Sequence, residues 1–190
     1  MIMTQEELFV DFRQHLAAVG GECYQFGNLR EVAGWMVGQQ ALEGREIVVP
    51  PQFAERERWG KIVPILEELG VRMWEAGSAA SVADAPAGLS NADLAIAETG
   101  SVLLAENTLE ARVVSMLTLT HFILVRMRDL YPMLDVAGER LQVYTKAGPD
   151  QRRYISLVTG PSRTADIERT LTIGVQGPRA VFVLFVKDEE

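Results

Sequence analysis

Phe122-Ile123-Leu124-Val125 is a run of four large apolar side chains with no polar residue between them. A strand with one face in water alternates apolar and polar positions, so an unbroken apolar run reads as a strand covered on both faces. Ile47-Val48-Val49, halted by Pro50-Pro51, and the apolar stretch 180–186 read the same way. Helical spacing fills the intervals. Phe9, Phe12, Leu16 and Val19 follow a Thr4–Glu7 capping box and stop at Gly20-Gly21. Val32, Met36 and Val37 follow Asn28 and Glu31 in a helix expected to end near Gly44, and Ile62, Ile65, Leu66 and Leu69 lead to Gly70. Helices are also expected over 112–119 and within 130–141, and shorter strands over 24–26, 71–74, 93–97, 101–104 and 154–159. Residues 75–88, rich in Ala, Ser and Gly, read as a loop with one helical turn. Helices alternating with fully apolar strands specify an α/β fold with a largely parallel sheet covered on both sides.

At 190 residues, and without an internal repeat or a linker-like stretch, the chain is expected to form one domain over 1–190. Its 48% apolar content suffices for a sizeable core. A net charge of -8 argues against a nucleic-acid surface or docking on anionic lipid, both of which need clustered Lys and Arg. No apolar run approaches the ~20 residues that span a bilayer. The first residues lack the basic start and apolar core of a secretory signal, so a cytoplasmic location is expected. Cys23 is the single cysteine, and His15 and His121 lie far apart with no acidic ligand pattern nearby, so neither a metal nor another cofactor is expected on this chain. Any redox centre would belong to a partner.

Two segments carry the most chemistry. In Ala97-Glu98-Thr99-Gly100-Ser101 a carboxylate follows an apolar strand directly, Gly100 permits a positive φ or the close approach of a ligand, and Thr99 and Ser101 add hydroxyls. Burial at a strand end would raise the Glu98 pKa and suit it to act as a general base or nucleophile. The plainer reading is a glutamate that satisfies turn amides. In Gly160-Pro161-Ser162-Arg163-Thr164-Ala165-Asp166-Ile167-Glu168 a glycine ends a strand, Ser162 or Thr164 can cap the next turn, and Arg163 supplies a forked positive charge. That combination describes an anion site at a helix N-terminus, with Asp166 and Glu168 orienting Arg163; an N-cap with a surface ion pair explains it equally well. Both segments are expected at the carboxyl ends of sheet strands, where open α/β sheets bind ligands. Gly174-Val175-Gln176-Gly177-Pro178 is a third turn, from which Gln176 can project an amide, although a purely structural turn needs no more. His121 reads as a structural histidine, and Trp35, Trp59 and Trp74 as core or interface groups.

Together with Gly88-Leu89-Ser90-Asn91-Ala92-Asp93-Leu94-Ala95-Ile96, which leads into the first segment, these stretches resemble the LUD-domain family, in particular its small lactate-utilisation protein C type. The family usually has His where Gln176 stands, and often Thr at Ser101. The resemblance implies a three-layer fold like that of the sugar-phosphate isomerase and CoA-transferase (NagB/RpiA/CoA transferase-like) group. It also implies a role in oxidising L-lactate to pyruvate beside iron–sulfur partner proteins, with a small anionic carboxylate held by the two segments. On that basis Glu98 is the catalytic candidate, and Thr99, Gly100, Ser101, Gly160, Ser162, Arg163, Thr164, Asp166, Glu168 and Gln176 are the ligand-binding candidates. An alternative is a free-standing acyl-transfer or sugar-phosphate enzyme with Glu98 as nucleophile or base, because CoA transferases place a Glu before a similar glycine turn.

Overall fold

A computed structural model describes residues 3–165 and 171–187. Its elements in chain order are α1 (Gln5–Ala18), β1 (Glu22–Phe26), α2 (Leu29–Val37), β2 (Glu46–Val49), α3 (Ile62–Glu68), β3 (Arg72–Glu75), α4 (Ala79–Val82), β4 (Ala87–Asn91), β5 (Leu94–Ile96), β6 (Ser101–Glu106), α5 (Leu109–Leu117), β7 (Thr120–Arg126), β8 (Leu130–Tyr131), α6 (Leu134–Thr145), β9 (Tyr154–Val158), β10 (Arg163–Thr164), β11 (Thr172–Ile173) and β12 (Ala180–Val186).

The unbroken apolar runs form the middle of a six-stranded parallel sheet ordered β1-β12-β7-β4-β2-β3, with Phe122 opposite both Phe182 and Leu89. Both faces are covered, as the missing alternation requires. On one side Phe122, Leu124, Leu184 and Val186 pack against Val32 and Met36 of α2 and Ile62 and Leu66 of α3. On the other, Ile123, Val125, Val183 and Phe185 meet Phe9, Phe12 and Leu16 of α1. Phe12 and Phe185 meet edge-on, 5.0 Å between ring centres, an arrangement the ring quadrupoles favour.

The helix expected to run from Asn28 toward Gly44 ends at Val37 and gives way to a short 3-10 turn, Gln40–Leu42. The stretch 75–88 does contain the single helical turn α4, but its end is not loop. Ala87–Asn91 is a central strand between β2 and β7. It lacks the usual strand residues because α5 crowds it: a Cβ on Gly88 would lie 2.7 Å from Thr118 Cγ2 and 3.0 Å from Val114 Cγ1. Tight packing selected small residues there, and small residues hide a strand from pattern reading.

A second, four-stranded sheet ordered β8-β5-β6-β9 departs from the single sheet read in the sequence. One face, with Ala95, Val102 and Leu104, joins the core around α1. The other face, with Leu94, Ile96 and Leu103, is covered by Ala137 and Tyr144 of α6. The chain changes sheet within two residues: the Ala92 amide donates to Leu124 of β7, and the next amide, of Asp93, donates to Leu103 of β6.

Candidate functional site

The two segments singled out from the sequence follow strands of the second sheet, β5 and β9, rather than the carboxyl edge of the parallel one. Glu98 lies in a 3-10 turn, Ala97–Thr99, with its side chain exposed rather than buried at a strand end. Its amide donates to Pro132 O, and its Oε1 accepts from the Leu134 amide at 2.8 Å. Leu134 opens α6, whose own N-cap position holds Met133 and no capping side chain, so Glu98 satisfies a helix terminus from a distant turn. Gly100 adopts φ +63°, and a Cβ there would sit 2.4 Å from the Leu16 amide nitrogen. The close approach it permits is that of α1. His15 Nδ1–H seals this contact, donating to the Asp11 and Ala97 carbonyls at 3.0 Å each. Thr99 is exposed, and buried Ser101 shares a 2.5 Å hydrogen bond with Thr159.

Gly160, at φ +73°, brings β9 against the end of α1, where a Cβ would lie 2.9 Å from Val19 Cγ2. Arg163 and Thr164 form a two-residue strand antiparallel to Thr172 and Ile173, and the helix expected to follow them falls outside the described residues. Asp166 and Glu168 lie outside the described residues. The third turn does join the second segment. The Ser162 amide donates to Pro178 O and the Gly174 amide to Ser162 O, both at 2.8 Å, and Gly177 packs against Ser162. Arg163 and Gln176 are exposed at this junction. Among the described residues no hydrogen bond or ion pair links Glu98 with Arg163 or Gln176; Gly100 and Gly160 instead pack around the C-terminal end of α1.

A different set of charged groups converges where the chain changes sheet. An open cleft of about 440 Å³ lies at the carboxyl ends of β2 and β4, between the two sheets, walled by Gln52 and Arg56 after β2, Asn91 at the end of β4 and Asp93 beyond it, Glu106 at the end of β6 and Thr108 at the start of α5, with Arg152 ahead of β9. A crevice at the carboxyl edge of a parallel sheet, where strand order or direction switches, is where such folds bind ligands. Arg56 is held as a strut. Its guanidinium donates twice to Glu106, at 3.0 and 3.1 Å, and once to Asn91 Oδ1 at 2.5 Å. Burial raises the Glu106 pKa, against the opposing pull of Arg56.

Asp93 accepts from the Tyr144 hydroxyl at 2.9 Å and from the Ala105 amide at 3.1 Å. Burial raises its pKa as well, against those two bonds and the charges of Arg152 and Arg56. Tyr144 is pushed up to about 12 by burial and by the neighbouring Asp93 charge. The Arg152 guanidinium lies over the Tyr144 ring, 5.4 Å from its centre, and forms no ion pair among the described residues. One α6 tyrosine thus orients both an arginine and a carboxylate that line the cleft. Thr108 caps α5 by accepting from the Ala111 amide, so the first turn of that helix also borders the cavity.

Sequence reading missed this cluster because its members come from four separate parts of the chain. The available signal was Asp93, the one charged residue in the stretch Ala92-Asp93-Leu94-Ala95-Ile96-Ala97. Behind the cleft, His121 is fully buried; its Nε2 lies 2.6 Å from Ser90 Oγ, and burial lowers its pKa to about 3. Cys23 is buried too, and burial pushes its thiol up to about 12, which leaves it unreactive.

Among the described residues no helix is long and apolar enough to cross a membrane. A crystal structure of a DUF162 family protein from Deinococcus radiodurans superposes with a TM-score of 0.69 at 20% identity, covering 97% of this chain and 99% of that one. The α/β fold with its largely parallel sheet is therefore shared. "Lactate utilization protein C" of Bacillus velezensis is 27% identical over 97% of this chain and 80% of its own length. "Lactate utilization protein C 1" of Bacillus mycoides is 33% identical over 102 residues, 54% of this chain, a match that spans 44% of that relative. Residues 57–186 match the LUD domain model, a span that includes both segments singled out from the sequence and most of the cleft, and the chain belongs to the LUD domain family.

Proposed function

We propose that this protein is a component of a system that oxidises L-lactate to pyruvate, in which it holds a small carboxylate and iron–sulfur partner proteins carry the electrons. The observation that carries this reading is the likeness, over nearly the whole chain, to proteins named for lactate utilisation. The division of labour follows from chemistry: oxidation of a hydroxy acid releases two electrons, and a chain with one buried, unreactive cysteine offers no cluster ligands of its own. The cleft supports carboxylate binding better than the exposed turns at Glu98 and Arg163, because it is concave and Arg152 stands in it without an ion-pair partner among the described residues. Glu98 is occupied with the α6 terminus. Deleting the gene in its host should abolish growth on L-lactate, and a tagged copy that restores growth should co-purify with iron–sulfur proteins. Normal growth on lactate, with no such protein captured, overturns the proposal.

A further inference from the structure

The geometry points to a hydroxy-carboxylate site in the cleft in which Arg152 takes the carboxylate of the ligand, Asp93 accepts its hydroxyl, and Tyr144 positions both. This rests on the reading of the cleft as the ligand site and assigns its residues. Arg152 is the anchor by elimination. Arg56, the other guanidinium in the cleft, spends three donors on Glu106 and Asn91, whereas Arg152 meets no carboxylate among the described residues, gives one donor to the Gln151 carbonyl at 3.3 Å, and keeps the rest of a planar fork suited to a carboxylate. Its stacking on Tyr144 fixes the plane of that fork without using its donors.

Asp93 is the hydroxyl acceptor. An ionised carboxylate has about four lone-pair positions. Tyr144 and Ala105 each fill one, leaving capacity at a residue that lines the cavity. A ligand carboxylate alone would be repelled by Asp93 and by Glu55 and Glu106, which also line the cavity; a neighbouring hydroxyl that donates to Asp93 turns that repulsion into recognition. The cleft therefore favours hydroxy acids over acids lacking the hydroxyl. Its volume of about 440 Å³ equals roughly fifteen waters at ~30 Å³ each, so hydroxy acids longer than lactate fit as well.

Calorimetric titration of the full chain with L-lactate, propionate and pyruvate tests this assignment. L-lactate should bind more tightly than propionate, which differs by the hydroxyl alone. Arg152→Met should weaken all three acids by about 10- to 100-fold, the loss expected of a charge-assisted contact. Tyr144→Phe keeps the ring under Arg152 and removes the hydroxyl, with its bond to Asp93 and its contact with Arg140 on the same helix. It should leave propionate affinity within about twofold and shift the preference for lactate, a split that general structural damage would not give. Asp93→Asn should alter that preference in the same selective way, and Arg72→Met, in an exposed pair on the edge strand, serves as the control. Circular dichroism establishes that each variant is folded, and if Asp93→Asn is not, Tyr144→Phe still decides. Absence of binding to the wild type at millimolar acid overturns the assignment. So does unchanged binding in Arg152→Met, or loss on Glu98→Gln or Arg163→Met with Arg152→Met unaffected. Binding in the cleft without a growth defect on lactate would retire the lactate reading and keep this site; a growth defect without binding would do the reverse.

Discussion

His121 is fully buried, and burial governs its titration. Its pKa is about 3 in the fold against an ordinary 6.5. Below pH 6.5 the unfolded chain takes up a proton that the folded chain refuses, so stability falls as pH drops from 6.5 toward 3, at up to about 1.4 kcal/mol per pH unit. Asp93 and Glu106 act with the opposite sign: their raised values let the folded state keep protons longer, so their contribution is greatest in acid and is lost as pH rises past the ordinary carboxylate range. His121→Gln retains a group able to reach Ser90 and removes the titration. Urea unfolding from about pH 6 to about pH 4 should show a shallower loss of stability than in the wild type, and parallel slopes would assign the acid sensitivity elsewhere. Glu98 carries a second prediction at this scale. Glu98→Ala removes the acceptor for the Leu134 amide and should cost about 1 kcal/mol in the same measurement, whereas Glu98→Gln keeps an acceptor and should cost less than half of that. The sequence offered turn amides as the plainer role for Glu98; that the amide it satisfies belongs to a helix 36 positions away was not legible locally.

At the scale of elements, the glycines in the matched segments explain themselves through packing. Gly100 stands where α1 crosses the β5–β6 turn, and Gly160 where β9 meets the end of α1. Gly100→Ala must place a Cβ 2.4 Å from a backbone nitrogen that is fixed within a helix, and should cost about 3 kcal/mol in urea unfolding. Gly70→Ala separates the backbone contribution from the steric one. It has a similar positive φ of +79° with nothing within 4 Å, and should cost only about 1 kcal/mol. Equal losses at the two positions would mean that α1 yields. Periodicity located α1, α3, β2, β7 and β12 because each has a wide apolar face and a clear stop. It failed at β4, where contact with α5 replaced bulky strand residues by Ala, Gly and Ser.

Over the whole molecule, Arg56 ties the parallel sheet to the mixed one, since it reaches Asn91 at the end of β4 and Glu106 at the end of β6. The Arg56 and Glu106 side chains are 25% and 15% exposed, so Arg56→Ala strands a largely buried carboxylate and should destabilise the fold by about 2–3 kcal/mol. Adding Glu106→Gln should recover at least about 1 kcal/mol, measured as the coupling in a double-mutant cycle; strictly additive losses would show that the pair does not link the sheets. The sequence by itself determined the parallel sheet covered on both faces, because hydrophobic burial acts on each strand through its own side chains and is written in local pattern. It also determined the family, since the segments that carry it are contiguous. Only the tertiary structure decided that a second sheet exists, that the matched turns brace α1, and that Asp93 and Arg152 line one cleft with Tyr144 buried behind them. Those facts depend on pairings between distant segments, where each partner satisfies a charge or fills a contact that its own neighbours in sequence do not specify.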